Sequence, residues 1–113
     1  MYKIPSEFNI DNLEGELIIQ IAFGLNYITL FFSKGFIQLS GSFSIDFNSQ
    51  NFEYDEVYPV NNDFGLLKLL EKMIMKAIIN EHRNILTLVF EDQITLKLIG
   101  NDEYESYRIK INA

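Results

Sequence analysis

Strict alternation of apolar and polar residues between Ile37 and Phe47 constrains the fold of this chain more than any other feature. One face carries Ile37, Leu39, Gly41, Phe43, Ile45 and Phe47, and the other carries Gln38, Ser40, Ser42, Ser44 and Asp46. A period of two residues is typical of a β-strand with one face buried and the other in water. We therefore predict a half-buried antiparallel strand, with Gly41 marking a bulge or bend in it.

Apolar runs separated by turn residues predict further strands on both sides of this one. They cover residues 17–23, 27–32, 52–60, 85–90, 94–99 and 104–111. The segments Asn26 to Phe32 and Asn84 to Phe90 also match each other at Asn, Thr, Leu and the final Phe. Two interpretations remain open. The match arises by chance because β-strands use a small set of residue types, or the chain holds two related meander units.

A helical period interrupts the strands between Phe64 and Asn80. Apolar residues recur there at spacings of three and four: Leu66, Leu67, Leu70, Met73, Ile74, Ala77 and Ile78. This pattern predicts an amphipathic helix with Asp63 as its N-cap and with Leu70 buried. The predicted fold class is α+β. One domain over residues 1–113 would hold six to seven mostly antiparallel strands in a curved sheet or open sandwich, with the helix between strands four and five.

The composition and the N-terminal sequence limit the classes of protein to which this chain can belong. With 113 residues, 48% of them hydrophobic, the chain suits one globular core. It has no cysteine, which excludes a disulfide framework, a thiolate nucleophile and a zinc–thiolate site. The N-terminus lacks the apolar core of a signal peptide, and no apolar run reaches the roughly 18 residues that span a bilayer. We expect a cytoplasmic protein with no membrane partner.

Catalytic and cofactor signatures are absent from the sequence. His82 is the only histidine, and its neighbours Glu81 and Arg83 indicate a solvated helix end, where the macrodipole favours histidine. Glu53 and Asp55 share a strand face, which we interpret as a solvated acidic ridge and not as a metal or catalytic pair. No glycine-rich nucleotide motif occurs. The chain is predicted to be no enzyme and to bind no cofactor or metal.

Acidic residues are concentrated in blocks of the sequence. The net charge is −7, and residues 35 to 67 contain no Lys or Arg. A second block runs from Glu91 to Glu105, opposed only by Lys97. Nucleic-acid binding draws its affinity from Lys and Arg, so nucleic acid is not the expected partner. A basic protein is the complementary partner.

Aromatic and acidic residues interleave on the predicted strand 52–60, which we expect at a sheet edge. The predicted partner-binding set is Glu53, Tyr54, Asp55, Glu56 and Tyr58, extended by Glu91, Asp92, Asp102 and Glu103 if the hairpin turns lie nearby. The tyrosines would be desolvated anchors within a charged rim. The competing interpretation is an edge strand whose charges keep it from pairing with other chains.

The last 30 or so residues resemble small bacterial immunity proteins, including those of contact-dependent growth inhibition systems. The resemblance lies in the segment Leu86 to Leu98 and in Tyr104-Glu105-Ser106-Tyr107. The chain departs from these families at Gln93, where Gly is common, and at Tyr107, where Trp is frequent. The resemblance implies a cytoplasmic antidote that binds a cognate toxin domain, often a nuclease.

Other classes stay open beside the antidote. A non-toxin interaction or scaffold module, with self-association into a homodimer through an edge strand as one form of it, is the first alternative. A small-molecule-binding domain or an unrecognised enzyme is the second. An antidote would be encoded beside a larger protein with a variable C-terminal domain, and a housekeeping module would not.

Overall fold

The computed structural model describes residues 10–47, 49–55, 64–82, 84–100 and 107–111. Nine strands occur in these ranges: β1 Gln20–Phe23, β2 Ile28–Phe32, β3 Gly35–Leu39, β4 Phe43–Phe47, β5 Gln50–Tyr54, β6 Ile74–Ile79, β7 Ile85–Phe90, β8 Ile94–Ile99 and β9 Tyr107–Ile111. The described helices are short 3₁₀ turns at Ile10–Leu13, Leu66–Leu69 and Glu91–Gln93. The prediction of mostly antiparallel strands is confirmed.

The strands form two antiparallel sheets that share one hydrophobic core. One sheet has the order β1-β2-β3-β9 and the other the order β5-β4-β8-β7-β6. Inward residues of both sheets belong to one buried cluster, including Leu30 and Ile37 from the first and Ile45, Leu88 and Leu96 from the second. Within the described residues no helix is long and apolar enough to cross a bilayer.

The alternating segment Ile37 to Phe47 is two strands and not one. β3 ends at Leu39 and β4 begins at Phe43, and the two belong to different sheets. Gly41 lies buried at the passage between them. The period of two continues across this break because both strands turn the same set of side chains into the common core.

The predicted helix from Phe64 to Asn80 is wrong. Its first part is the 3₁₀ turn Leu66–Leu69 and its second part is β6. In β6 the register shifts between Ile74, which is opposite Phe90, and Lys76, which is opposite Val89, so Met75 is an extra residue. The bulge separates the buried Ile74 and Ala77 by three positions, a spacing that imitates a helix. Leu70, predicted to be buried, is 37% exposed, whereas Leu66 and Leu69 are fully buried.

The two matching segments, Asn26 to Phe32 and Asn84 to Phe90, become equivalent strands of the two sheets. Ile28, Leu30 and Phe32 are buried in β2, and Leu86, Leu88 and Phe90 are buried in β7. Each strand then forms a hairpin with the next strand along the chain. The shared residues therefore occupy the same positions in two similar hairpins.

Candidate functional site

β5 is the terminal strand of the five-stranded sheet and carries the centre of the predicted patch. It pairs with β4 through Phe43↔Tyr54, Ser44↔Glu53, Ile45↔Phe52, Asp46↔Asn51 and Phe47↔Gln50. Residues 50–53 are all exposed. The sequence folds in this way because β4 supplies a core-facing set of Phe43, Ile45 and Phe47, against which Phe52 and Tyr54 align.

Glu53 and Asp55 are exposed carboxylates on the outer side of this edge. Glu53 is opposite Ser44, which is in turn opposite Lys97 of β8, so Lys97 lies two strand spacings away, or about 10 Å. Within the described part of the chain neither carboxylate has an ion-pair or hydrogen-bond partner. The Ser42 hydroxyl donates to the Asp55 carbonyl oxygen at 2.8 Å and holds the end of the strand in place.

Asp46 adds a third carboxylate to the outer side of the β4–β5 hairpin. It is half-buried and accepts a hydrogen bond from the side-chain amide of Asn51 directly opposite it. The sequence pattern placed Asp46 on the polar face of its strand but gave no register for the neighbouring strand. The pairing of Phe47 with Gln50 supplies that register.

Tyr54 does not project into solvent beside the acidic residues. Its half-buried ring packs against Phe43 at 5.0 Å and edge-on against Phe64 at 4.9 Å between ring centroids. The exposed aromatic residue of β5 is Phe52, 39% exposed and stacked on Phe47 at 5.2 Å. Sequence reasoning placed Phe52 and Tyr54 on one face, but which of the two the core would cover depends on Phe64, a contact distant in sequence.

Glu91 and Asp92 lie in the turn between β7 and β8, which two strands of the same sheet separate from β5. Glu91 exchanges hydrogen bonds with Met73: its N–H donates to the Met73 carbonyl, and its carboxylate accepts from the Met73 N–H at 3.2 Å. Asp92 pairs with Lys72 at 2.7 Å, and this hydrogen bond raises the pKa of Lys72. β4 and β8 separate both acids from β5, so the structure does not join them to Glu53 and Asp55.

Four predicted site residues, Glu56, Tyr58, Asp102 and Glu103, lie outside the described residues, as does the proposed N-cap Asp63. His82 is exposed in the turn that follows β6, and not at a helix end. The residues that the structure describes contain no group of three or more His, Cys, Asp or Glu side chains that could hold a metal ion.

Comparison with known proteins adds no relative. No family model matches the chain, and neither a curated protein nor a solved structure matches it.

Proposed function

We propose that this chain is an immunity protein that binds and neutralises a cognate bacterial toxin domain in the cytoplasm. The observation that carries the proposal is the exposed edge strand β5 with the carboxylates of Glu53 and Asp55, for which the described residues supply no partner. The resemblance of the C-terminal third to small immunity proteins supports the same function. The partner is a basic nuclease, and the acidic surface occludes its active site or substrate groove.

Charge explains why such a surface suits a nuclease. A nuclease holds a polyanion with Lys and Arg side chains, and a protein that presents carboxylates can occupy the same groove. The net charge of −7 draws a cationic partner over long range, so association is fast at low salt. Screening at about 0.15 M salt acts beyond roughly 8 Å and slows association.

The first test is the gene neighbourhood together with binding. The proposal expects a neighbouring gene for a larger protein with a variable C-terminal domain, and that domain, purified, should form a complex with this chain. The double variant Glu53→Lys, Asp55→Lys should reduce the association rate on the order of tenfold and flatten its salt dependence. Stopped-flow fluorescence at several salt concentrations measures both.

A matched control separates the site from net charge. The double variant Glu71→Lys, Glu81→Lys makes the same change in charge at two exposed acids far from β5. Its association rate should fall much less than that of the β5 variant. Equal losses in the two variants would assign the effect to total charge, and an unchanged rate in the β5 variant would place the interface elsewhere.

The alternative, a non-toxin interaction module, uses the same edge strand. It is favoured by a gene neighbourhood without a toxin-like neighbour. In that case proteins are captured from the source cell with this chain and purified individually. The association rates of each purified protein with the same two double variants then show whether a basic partner binds at β5.

A further inference from the structure

We propose that β5 receives an extended, basic segment of the partner as an additional strand at the edge of the five-stranded sheet. The inference rests on the proposed function, because it specifies how the same acidic surface holds its partner. The added strand would contribute main-chain hydrogen bonds to the binding affinity, which the acidic side chains alone do not supply.

The hairpin geometry gives β5 outward-facing backbone groups. In an antiparallel pair, residues that exchange hydrogen bonds alternate with residues that do not. β4 ends at Phe47 and β5 begins at Gln50 directly opposite, and the closing pair of a two-residue hairpin is hydrogen-bonded. Phe52 and Tyr54 therefore also bond to β4, while Asn51 and Glu53 direct their N–H and C=O groups to the open side.

The open side of β5 is accessible. Within the described residues no strand lies beyond β5 in the sheet, and residues 50–53 are exposed. Addition of a strand to such an edge gives main-chain hydrogen bonds for affinity and alternate side chains for specificity.

Charge selects the occupant. Glu53 lies within β5, and the exposed Asp55 follows directly after the strand ends at Tyr54. The two carboxylates are therefore separated by two residues, which is the spacing of side chains on one face of an added strand. A segment with Lys or Arg at every second position places its cations across from these carboxylates, and opposite charges on neighbouring strands stabilise the pair. Asp46 and Asn51 continue the polar surface on the same side of the hairpin.

The same charges disfavour a second copy of this chain at the edge. Antiparallel pairing of β5 with its own copy would put Glu53 and Asp55 of both chains on one face of a two-stranded ribbon. Like charges on neighbouring strands destabilise the pair. A homodimer through β5 is therefore not the expected occupant.

A peptide of alternating threonine and lysine, about eight residues long, is the direct probe. It should bind the intact chain and slow amide hydrogen exchange at Asn51 and Glu53. A peptide with glutamate in place of lysine should not bind. Lack of exchange protection at these two amides in the presence of bound peptide would overturn the inference.

Two substitutions at one position isolate the backbone contribution. Asn51→Ala and Asn51→Pro both remove the side-chain hydrogen bond to Asp46, but only proline also removes the outward N–H. Asn51→Pro should weaken peptide binding by about two- to tenfold relative to Asn51→Ala. Equal affinities would contradict strand addition.

Peptide methylation tests the same point without altering the protein. Methylation of the backbone nitrogens at the lysines blocks one edge of the peptide, and methylation at the threonines blocks the other. One of the two peptides should lose binding and the other should retain it. Equal binding of both overturns strand addition.

The toxin domain separates the two proposals. If Glu53→Lys, Asp55→Lys leaves toxin binding unchanged, the interface of the proposed function fails. If that variant weakens toxin binding while Asn51→Pro binds the toxin as Asn51→Ala does, only strand addition fails.

Discussion

The two edge strands of the five-stranded sheet, β5 and β6, differ in whether described residues hydrogen-bond to their outer backbone groups. At β6 the segment 15–18 runs antiparallel to residues 71–74, with Gly15 donating to Ile74, Ile74 to Glu16, Ile18 to Lys72 and Glu71 to Ile18. The Glu14 carboxylate accepts the N–H of Ala77, and the Glu91 carboxylate accepts that of Met73. At β5 the described residues supply no such cover.

This difference divides the described acidic residues into those with internal partners and those without. Glu14, Glu91 and Asp92 are committed to internal partners at the β6 end of the sheet. Glu53 and Asp55 have none within the described ranges. Net charge alone therefore overstates the acidic surface available to a partner. Among the exposed acids that remain, Glu53 and Asp55 lie two residues apart at β5, whereas Glu71 and Glu81 lie before and after β6.

The largest expected effect comes from loosening the cover of β6. Ile18 is fully buried in the covering segment, whereas its neighbour Ile19 is 57% exposed. Ile18→Ala should lower the free energy of unfolding by about 2–5 kcal/mol because it leaves a cavity beneath the segment. Ile19→Ala should change it by about 0.5 kcal/mol or less. Urea denaturation measures both, and similar losses in the two variants would show that the segment does not pack as described.

A pair of glutamates compares the edges directly. Glu14→Ala should destabilise the protein by about 1 kcal/mol, because the Ala77 N–H loses a charged acceptor. Glu53→Ala should change stability by less than about 0.5 kcal/mol, since that carboxylate has no partner in the described structure. Thermal unfolding of both variants tests the contrast. A larger loss for Glu53→Ala would mean that β5, and not β6, depends on its carboxylate.

The smallest effect concerns the Lys72–Asp92 pair beside β6. Because the pair raises the pKa of Lys72, its stabilising contribution is fully present below the ordinary lysine value of 10.5 and is lost as pH rises through the folded-state pKa. Asp92→Asn should therefore remove a small part of the alkaline loss of stability. Asp55→Asn is the matched control, because Asp55 pairs with no described cation. Unfolding curves between neutral and alkaline pH would show no difference between the two variants if the pair contributes nothing.

Local pattern was sufficient for the hairpins but not for β6. The prediction of strands at β2, β7 and β8 is confirmed. β7 and β8 show alternating burial that matches the sequence period, whereas β2 is buried at every position except Phe31. In β6 the bulge at Met75 changes the spacing of buried residues from two to three. The bulge is defined by the pairing of β6 with β7, and the sequence of β6 alone does not reveal that pairing.

The candidate site was predictable in composition and not in contacts. The interleaved aromatic and acidic residues around Glu53 correctly indicated an edge strand. The burial of Tyr54 depends on Phe64, and the commitment of Glu91 depends on Met73. These are tertiary contacts between segments that are distant in sequence. The sequence pattern therefore could not decide whether the condition for extending the patch to Glu91 and Asp92, a nearby hairpin turn, is met.

The cover over β6 has a consequence for the solubility of the chain. Ile74–Ile79 contains five apolar residues, a single charge at Lys76, and no proline or glycine. Segments of about six residues with this make-up stack into cross-β fibrils when their edges are free. The bulge at Met75 and the hydrogen bonds that Ile74 and Ala77 make with residues 14–16 remove the flat, open edge that such stacking needs. The N-terminal segment thus protects an apolar edge strand from stacking as well as completing its sheet.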